Sequence, residues 1–171
     1  MREPEVTWCV AYTQPFKERL AQQHLLEQGY KVYLPQFKKT RRHARKVEEV
    51  LAPLFPRYIF IGIDLKSSQW RSINGTRGIS HLLMSDSTNP ASVPLCVIKE
   101  LRAQELSEAV VPASSLISFI RGERIRILEG IFKDHVAFYE ALDDKSRVQL
   151  LLNFLGREMK ASFPIYAVEA A

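Results

Sequence analysis

The chain has 171 residues, of which 46% are hydrophobic and 25% are charged, a composition ordinary for a globular protein with a real core. It contains no run of about 18 apolar residues, and its first residues, MREPEVTW, lack the apolar core of a secretory signal. These absences predict a cytoplasmic protein without a membrane span. Cys9 and Cys96 lack Cys-x-x-Cys or Cys/His spacing, which favours buried or idle thiols over a disulfide and indicates no metal site.

The net charge is +5, and it is unevenly distributed along the chain. Residues 1–107 hold 16 Lys/Arg against 10 Asp/Glu, whereas residues 108–171 hold 8 against 9. Six basic residues fall within nine positions: Lys38, Lys39, Arg41, Arg42, Arg45 and Lys46. Attraction to a polyanion is therefore expected from the first part of the chain, although the modest excess does not imply tight independent binding.

Local patterns in the first part predict alternating strands and helices. Thr7 to Tyr12 has the aromatic and branched composition of a buried strand. Pro15 is a typical first-turn residue for a helix that continues to Gln28 and ends at Gly29. A short strand is predicted from Lys31 to Leu34.

The next segment, Gln36 to Val47, carries the basic cluster and lacks apolar periodicity, which predicts a loop or a protruding hairpin tip. Tyr58 to Ile63 is apolar on both faces, as in a central strand that is covered on each side. Further along, we expect a short helix at 65–73, a strand at 79–84 and a helix at 93–105.

A small, polar, proline-broken stretch at 108–119 is the best candidate for a linker. The order of elements before it and the separate apolar pattern after it predict an α+β protein with two domains. We place these domains at 1–107 and 120–171.

The tail carries two apolar periodicities at once. One set of residues has helical spacing: Val148, Leu151, Leu152, Leu155 and Met159. Another set alternates as in a strand: Val148, Leu150, Leu152 and Phe154. Gly156 argues against the helical alternative, because glycine inside a helix costs roughly 1 kcal/mol relative to alanine.

Four motifs occur in a fixed order along the chain: WCVAYTQPFKE from Trp8, PLFPRYIFIGID from Pro53, INGTRGISHLL from Ile73, and GERIRILEGIFKDHVAF with VQLLLNFLGRE in the tail. Together they resemble the NusG family of transcription elongation factors, and most closely its specialised RfaH-type paralogues. The resemblance covers essentially the whole chain. It implies an antiparallel sheet flanked by helices in the first domain and a small KOW β-barrel in the second.

The resemblance further implies a non-enzymatic protein that suppresses pausing or termination. We also expect a monomer without cofactor, metal or membrane contact. Its first domain would bind the clamp helices of bacterial RNA polymerase and nearby DNA, and its KOW domain would recruit a ribosomal protein or Rho. The implied polymerase-binding residues are Tyr12, Phe55, Tyr58, Phe60 and Ile98. For any one of these aromatic residues, a place in the core is the alternative interpretation.

The implied nucleic-acid-binding residues are Lys17, His24, Lys38, Lys39, Arg41, Arg42, Arg45, Thr76 and Arg77. The implied KOW residues are Gly130, Phe132, Lys133, Phe154, Gly156 and Arg157. Two features depart from the RfaH-type pattern. Gln69, Trp70 and Arg71 replace a His-Thr-Thr element, and Gln14 replaces a common lysine.

Alternatives to this interpretation remain open from the sequence. In RfaH-type proteins the tail also forms a helical hairpin that docks on the first domain and masks the polymerase patch. Ala52 replaces the acidic residue that pins that form, so we favour the barrel.

For function, a rival interpretation is an RNA-binding, ribosome-associated KOW protein, which predicts a basic tail. A third interpretation is a generic two-domain adaptor whose basic loop is merely solvated. The chain has no nucleotide-binding or nucleophile motif, so catalysis is not expected.

Overall fold

The computed structural model describes residues 5–107, 119–144 and 147–171. It divides into two compact units. Unit 1 comprises residues up to Pro35 together with Pro56–Lys99, and unit 2 comprises Gln36–Phe55 together with Glu100–Ala171. This grouping differs from the division predicted from the sequence, because the segment with the basic cluster belongs with the tail. Most of the predicted linker, residues 108–118, lies outside the described residues.

Unit 1 contains an antiparallel sheet in the order β2-β5-β1-β6, with β7 also paired to β1. Its strands are β1 (Thr7–Thr13), β2 (Lys31–Tyr33), β5 (Tyr58–Ile63), β6 (Ile79–Leu82) and β7 (Ser92–Val93). The helices are α1 (Glu18–Glu27), a 3₁₀ helix (Ser68–Gly75) and α2 (Leu95–Ser107), whose residues after Lys99 fall in unit 2. The predicted strands and helices of this region are confirmed, with bounds shifted by a few residues.

One face of this sheet forms the core of unit 1. Ile59, Ile61 and Ile63 of β5 pack there with Cys9 and Ala11 of β1, and the helices add buried residues: Ala21, Leu25 and Ile73. Strand β5 lies between β2 and β1, which confirms the central position predicted from its apolar run. Burial raises the pKa of the Cys9 thiol to about 11, so this cysteine is protonated at neutral pH and is a poor nucleophile.

Gly78 lets the turn before β6 approach helix α1 closely. Its φ is +92°, and a Cβ placed on it would lie 2.9 Å from the backbone nitrogen of Ala21. Gly29 has a similar φ of +87° but has no atom within 4 Å of the same position. We therefore expect Gly78→Ala to lower the free energy of unfolding by roughly 1–3 kcal/mol more than Gly29→Ala, as overpacked sites do. Urea denaturation of both variants measures the difference, and equal losses would contradict the steric explanation.

Unit 2 begins with a β-hairpin formed by β3 (Gln36–His43) and β4 (Lys46–Pro53). Ala44 and Arg45 form its two-residue turn, with φ of +46° and +69°. Positive φ at both positions is the geometry of a type I′ turn, whose twist suits a hairpin. The predicted hairpin tip is therefore confirmed, and paired strands extend well beyond it.

The rest of unit 2 is a five-stranded antiparallel sheet in the order β11-β10-β9-β8-β12. Its strands are β8 (Arg124–Ile127), β9 (Val136–Asp144), β10 (Arg147–Phe154), β11 (Arg157–Pro164) and β12 (Val168–Ala170), with a 3₁₀ helix at Ile165–Ala167. The segment with two periodicities forms β10, a turn and the start of β11 here, and the helical-hairpin alternative for the tail is wrong for this structure. Leu155 and Gly156 make another two-residue turn with positive φ, which a helix cannot accommodate. None of the helices in the described ranges is long and apolar enough to cross a bilayer.

Candidate functional site

A row of rings crosses three strands of the unit 1 sheet. Tyr12 of β1 lies opposite Tyr58 of β5 and His81 of β6 in the strand register, so the three side chains share one face. The Tyr12 ring centroid is 5.1 Å from that of Tyr58 and 5.4 Å from that of His81. Tyr12 and Tyr58 are half-buried and His81 is exposed, so the row presents ring surface outside the core.

Arg57 completes this aromatic row. Its guanidinium carbon lies 4.0 Å from the centre of the Tyr12 ring, a cation–π geometry. Arg57 is held in place because its backbone N–H donates to the Glu18 carboxylate at 2.9 Å and its Nε donates to the Thr13 carbonyl at 3.2 Å. Sequence reasoning missed Arg57 and His81. Both residues lie within motifs identified above, Arg57 next to Tyr58 in PLFPRYIFIGID and His81 in INGTRGISHLL, and this was the available signal.

Three residues predicted to bind polymerase are buried, so the prediction needs correction there. Phe60 lies at the middle of the central strand and stacks on Tyr33 with a centroid distance of 6.1 Å. Phe55 belongs to unit 2, where its ring packs against other phenylalanines, and Ile98 is fully buried. A partner helix cannot contact side chains without solvent exposure, so the accessible part of the predicted patch is Tyr12 and Tyr58.

The predicted nucleic-acid residues of unit 1 are distributed along α1 and the turn before β6. Lys17 and Arg77 are exposed, and His24 is half-buried with its Nδ1 3.2 Å from the Glu27 carboxylate. Thr76 is buried, and its hydroxyl accepts a hydrogen bond from Gln28 Nε2 at 3.0 Å. This contact ties the turn to α1, so Thr76 positions the turn and its side chain is not available to a nucleic acid.

In unit 2 the hairpin displays most of the basic cluster to solvent. Lys38, Arg41, Arg42 and Arg45 are all exposed. Lys39 differs, because its ammonium pairs with the buried carboxylate of Asp143 on β9. The prediction is corrected for Lys39, whose charge is already matched within the protein.

Asp143 belongs to a polar network that holds the base of the hairpin against the tail sheet. Ser162 Oγ donates to Asp143 at 2.8 Å and accepts from Arg147 Nε at 3.1 Å. The Arg147 guanidinium also lies 4.0 Å from the centre of the Phe37 ring on β3. Arg147 therefore has its partners, Ser162 and Phe37, within unit 2.

A phenylalanine cluster joins the end of the hairpin to the tail sheet. Phe132 lies at its centre, with ring centroids 6.0 Å from Phe55, 5.3 Å from Phe154 and 6.0 Å from Phe163. Phe55 and Phe154 stack with nearly parallel rings, and the Ser162 N–H donates to the Leu54 carbonyl at 3.2 Å. Two predicted KOW residues, Phe132 and Phe154, are thus part of this packing.

The other predicted KOW residues lie at the surface of unit 2. Gly130 and Gly156 occupy turns with positive φ, and Lys133 and Arg157 are exposed. Among the residues that the structure describes, no group of three or more His, Cys, Asp or Glu side chains could hold a metal ion. The geometry therefore offers surfaces for binding: an aromatic row in unit 1 and a basic hairpin in unit 2.

Comparisons with known proteins agree on one family. A family model described as "Transcription termination factor nusG" matches residues 6–102. Proteins named "Transcription termination/antitermination protein NusG" from Staphylococcus epidermidis and Staphylococcus aureus are 22% and 23% identical over 146 residues, covering 83% of this chain and 78% of theirs. A solved structure, "Domain interaction in Thermotoga maritima NusG", has the same fold, with a TM-score of 0.57 at 17% identity over 96% of this chain and 97% of that one. The chain belongs to the NusG family of transcription termination and antitermination factors.

Proposed function

We propose that this protein is a non-enzymatic elongation and antitermination factor that binds the clamp helices of RNA polymerase through the aromatic row, Tyr12 and Tyr58 with Arg57 and His81. The observation that supports this most is the row itself. Half-buried tyrosines flanked by an arginine are the residue types that dominate protein–protein binding energies, since they cover large areas at low entropic cost. The rigid strands β1, β5 and β6 preorganise them.

The same proposal assigns the basic hairpin to DNA in the transcription complex. Its exposed guanidinium and ammonium groups would neutralise phosphates without reading sequence. Lys17, His24 and Arg77 of unit 1 would add further contacts. The specialised, RfaH-type character of the protein is part of this proposal and rests on the motif resemblance.

We further propose that the tail sheet recruits a second partner, a ribosomal protein or Rho, while the polymerase is held. The tail is slightly acidic overall, with 8 Lys/Arg against 9 Asp/Glu in residues 108–171, which does not favour a direct RNA-binding role. Exposed Lys133 and Arg157 at its turns are the candidate contacts.

Retention of core RNA polymerase by the immobilised full-length protein tests the polymerase part of the proposal. We expect saturable retention at moderate salt, because aromatic burial is screened less than surface charge. The variant Tyr12→Ala with Tyr58→Ala lacks both tyrosine rings of the row and keeps the basic residues. It is the control for retention of polymerase through charge alone. If the immobilised wild-type protein does not retain core RNA polymerase at moderate salt, the proposed function is wrong.

A further inference from the structure

Within unit 2, the base of the hairpin β3–β4 packs against the tail sheet, whereas its tip is exposed to solvent. Phe37 and Lys39 at the base contact Arg147 and Asp143. Beyond them, every residue from Thr40 to Glu49 is exposed. The four strand residues from Thr40 to His43 extend the ribbon by about 14 Å before the turn, at about 3.4 Å per residue.

The basic residues of the tip occupy both faces of the ribbon. The register pairs Arg41 with Glu48 and His43 with Lys46, so these side chains share one face. Arg42 pairs with Val47 and projects from the opposite face, and Arg45 occupies the turn. A ribbon lying flat on a polyanion needs charge on one face only. Charge on both faces and at the end suits insertion between two phosphate walls.

Acidic residues limit this basic region to the tip. No Asp or Glu occurs from Arg41 to Lys46, whereas Glu48 and Glu49 follow on β4. Phosphates near these two carboxylates would be repelled. The charge pattern therefore matches a groove that receives the end of the hairpin and leaves its base outside.

From this geometry we propose that the hairpin tip enters the major groove of double-stranded B-form DNA, a specific mode of contact that rests on the DNA-binding part of the proposed function. That groove is about 12 Å wide and about 8.5 Å deep and admits a two-stranded ribbon, whereas the minor groove is only about 6 Å wide. The exposed length of the tip is enough to reach the groove floor. Arg41 and Lys46 would face one phosphate wall and Arg42 the other.

The same features disfavour other nucleic acids. Single-stranded binding relies on aromatic platforms for base stacking, and no Phe, Tyr or Trp occurs between Lys38 and Glu49. Double-stranded RNA presents a deep, narrow major groove that side chains cannot read. Duplex DNA is thus the occupant that the shape and charge of the tip favour.

Fluorescence anisotropy with the full-length protein and a short mixed-sequence duplex DNA tests this proposal. We expect duplex DNA to bind at least about tenfold more tightly than either single strand or the RNA duplex of the same sequence. The four tip charges contribute about −3.6 to the slope of log affinity against log salt, which corresponds to a roughly 150-fold loss between about 50 and 200 mM salt. Preloading the minor groove with netropsin should leave binding unchanged.

Arg41→Gln with Arg42→Gln removes one charge from each face of an exposed tip, so the fold is not at risk. We expect the slope to become less negative by about 1.8 and the affinity to drop about tenfold. Lys66→Gln with Lys99→Gln removes two exposed charges from unit 1 and should change the affinity less than about twofold. Equal affinity for single strands, preference for duplex RNA, displacement by netropsin, or equal losses in the two double variants would each overturn the proposal. No polymerase is present, so this result is independent of the polymerase-retention experiment.

Discussion

Removing both tyrosines of the aromatic row, Tyr12→Ala with Tyr58→Ala, is expected to weaken binding to core RNA polymerase by about 30-fold or more. Central aromatic anchors typically cost about 2 kcal/mol or more when truncated, and 1.4 kcal/mol is about tenfold in affinity. The rings lie 5.1 Å apart and share one face, so a single partner surface would contact both. Titration of labelled protein with core polymerase, at a fixed moderate salt concentration, measures the effect.

Two variants separate loss of binding from loss of fold. Tyr12→Phe with Tyr58→Phe keeps both rings and should retain most of the affinity, because the contact area is preserved. Phe16→Ala removes an aromatic side chain that is 96% exposed in the same unit and should leave binding unchanged. If Phe16→Ala weakens polymerase binding as much as the double tyrosine variant, the assignment of the interface to the row is incorrect.

The second large effect is expected at Phe132, where alanine should lower the free energy of unfolding of unit 2 by about 3–5 kcal/mol, as for other buried Phe→Ala changes. Its ring contacts Phe55, Phe154 and Phe163, so truncation leaves a cavity at the centre of the cluster. Native-state hydrogen exchange of the β10 amides in the full-length protein reports the loss in unit 2 specifically.

Phe138→Ala provides the matched control on the same sheet. Phe138 on β9 is 45% exposed, so its removal creates little cavity and should cost less than about 1 kcal/mol. Comparable losses of protection in the two variants would show that the phenylalanine cluster does not stabilise unit 2 in the way described.

Much of the architecture could be predicted because its signals are local. The central strand β5 follows from an apolar run, α1 follows from helical spacing that ends at Gly29, and α2 follows from a similar pattern. The paired strands of the hairpin could not be predicted with their full length, because charged residues dominate both faces and no alternation marks them. There, the turn at Ala44–Arg45 and cross-strand pairing decide the structure.

The candidate site was predicted only in part, because exposure depends on contacts that are distant in sequence. Tyr58 and Phe60 belong to one apolar strand and lie on one face, yet Tyr58 at the strand end is accessible and Phe60 at its middle is not. Lys38 and Lys39 are adjacent and chemically identical. Only Lys39 meets a carboxylate, that of Asp143, which lies 104 positions further along the chain.

The sequence by itself determined the family, the order of most strands and helices, and the position of the basic cluster, since motifs, periodicity and composition are read along the chain. Tertiary structure alone decided which aromatic rings remain accessible and which lysine is paired. It also decided that the tail adopts strands where two periodicities compete. The physical reason is that burial and ion pairing depend on which segments meet in space, and an amphipathic pattern specifies a face without specifying its partner.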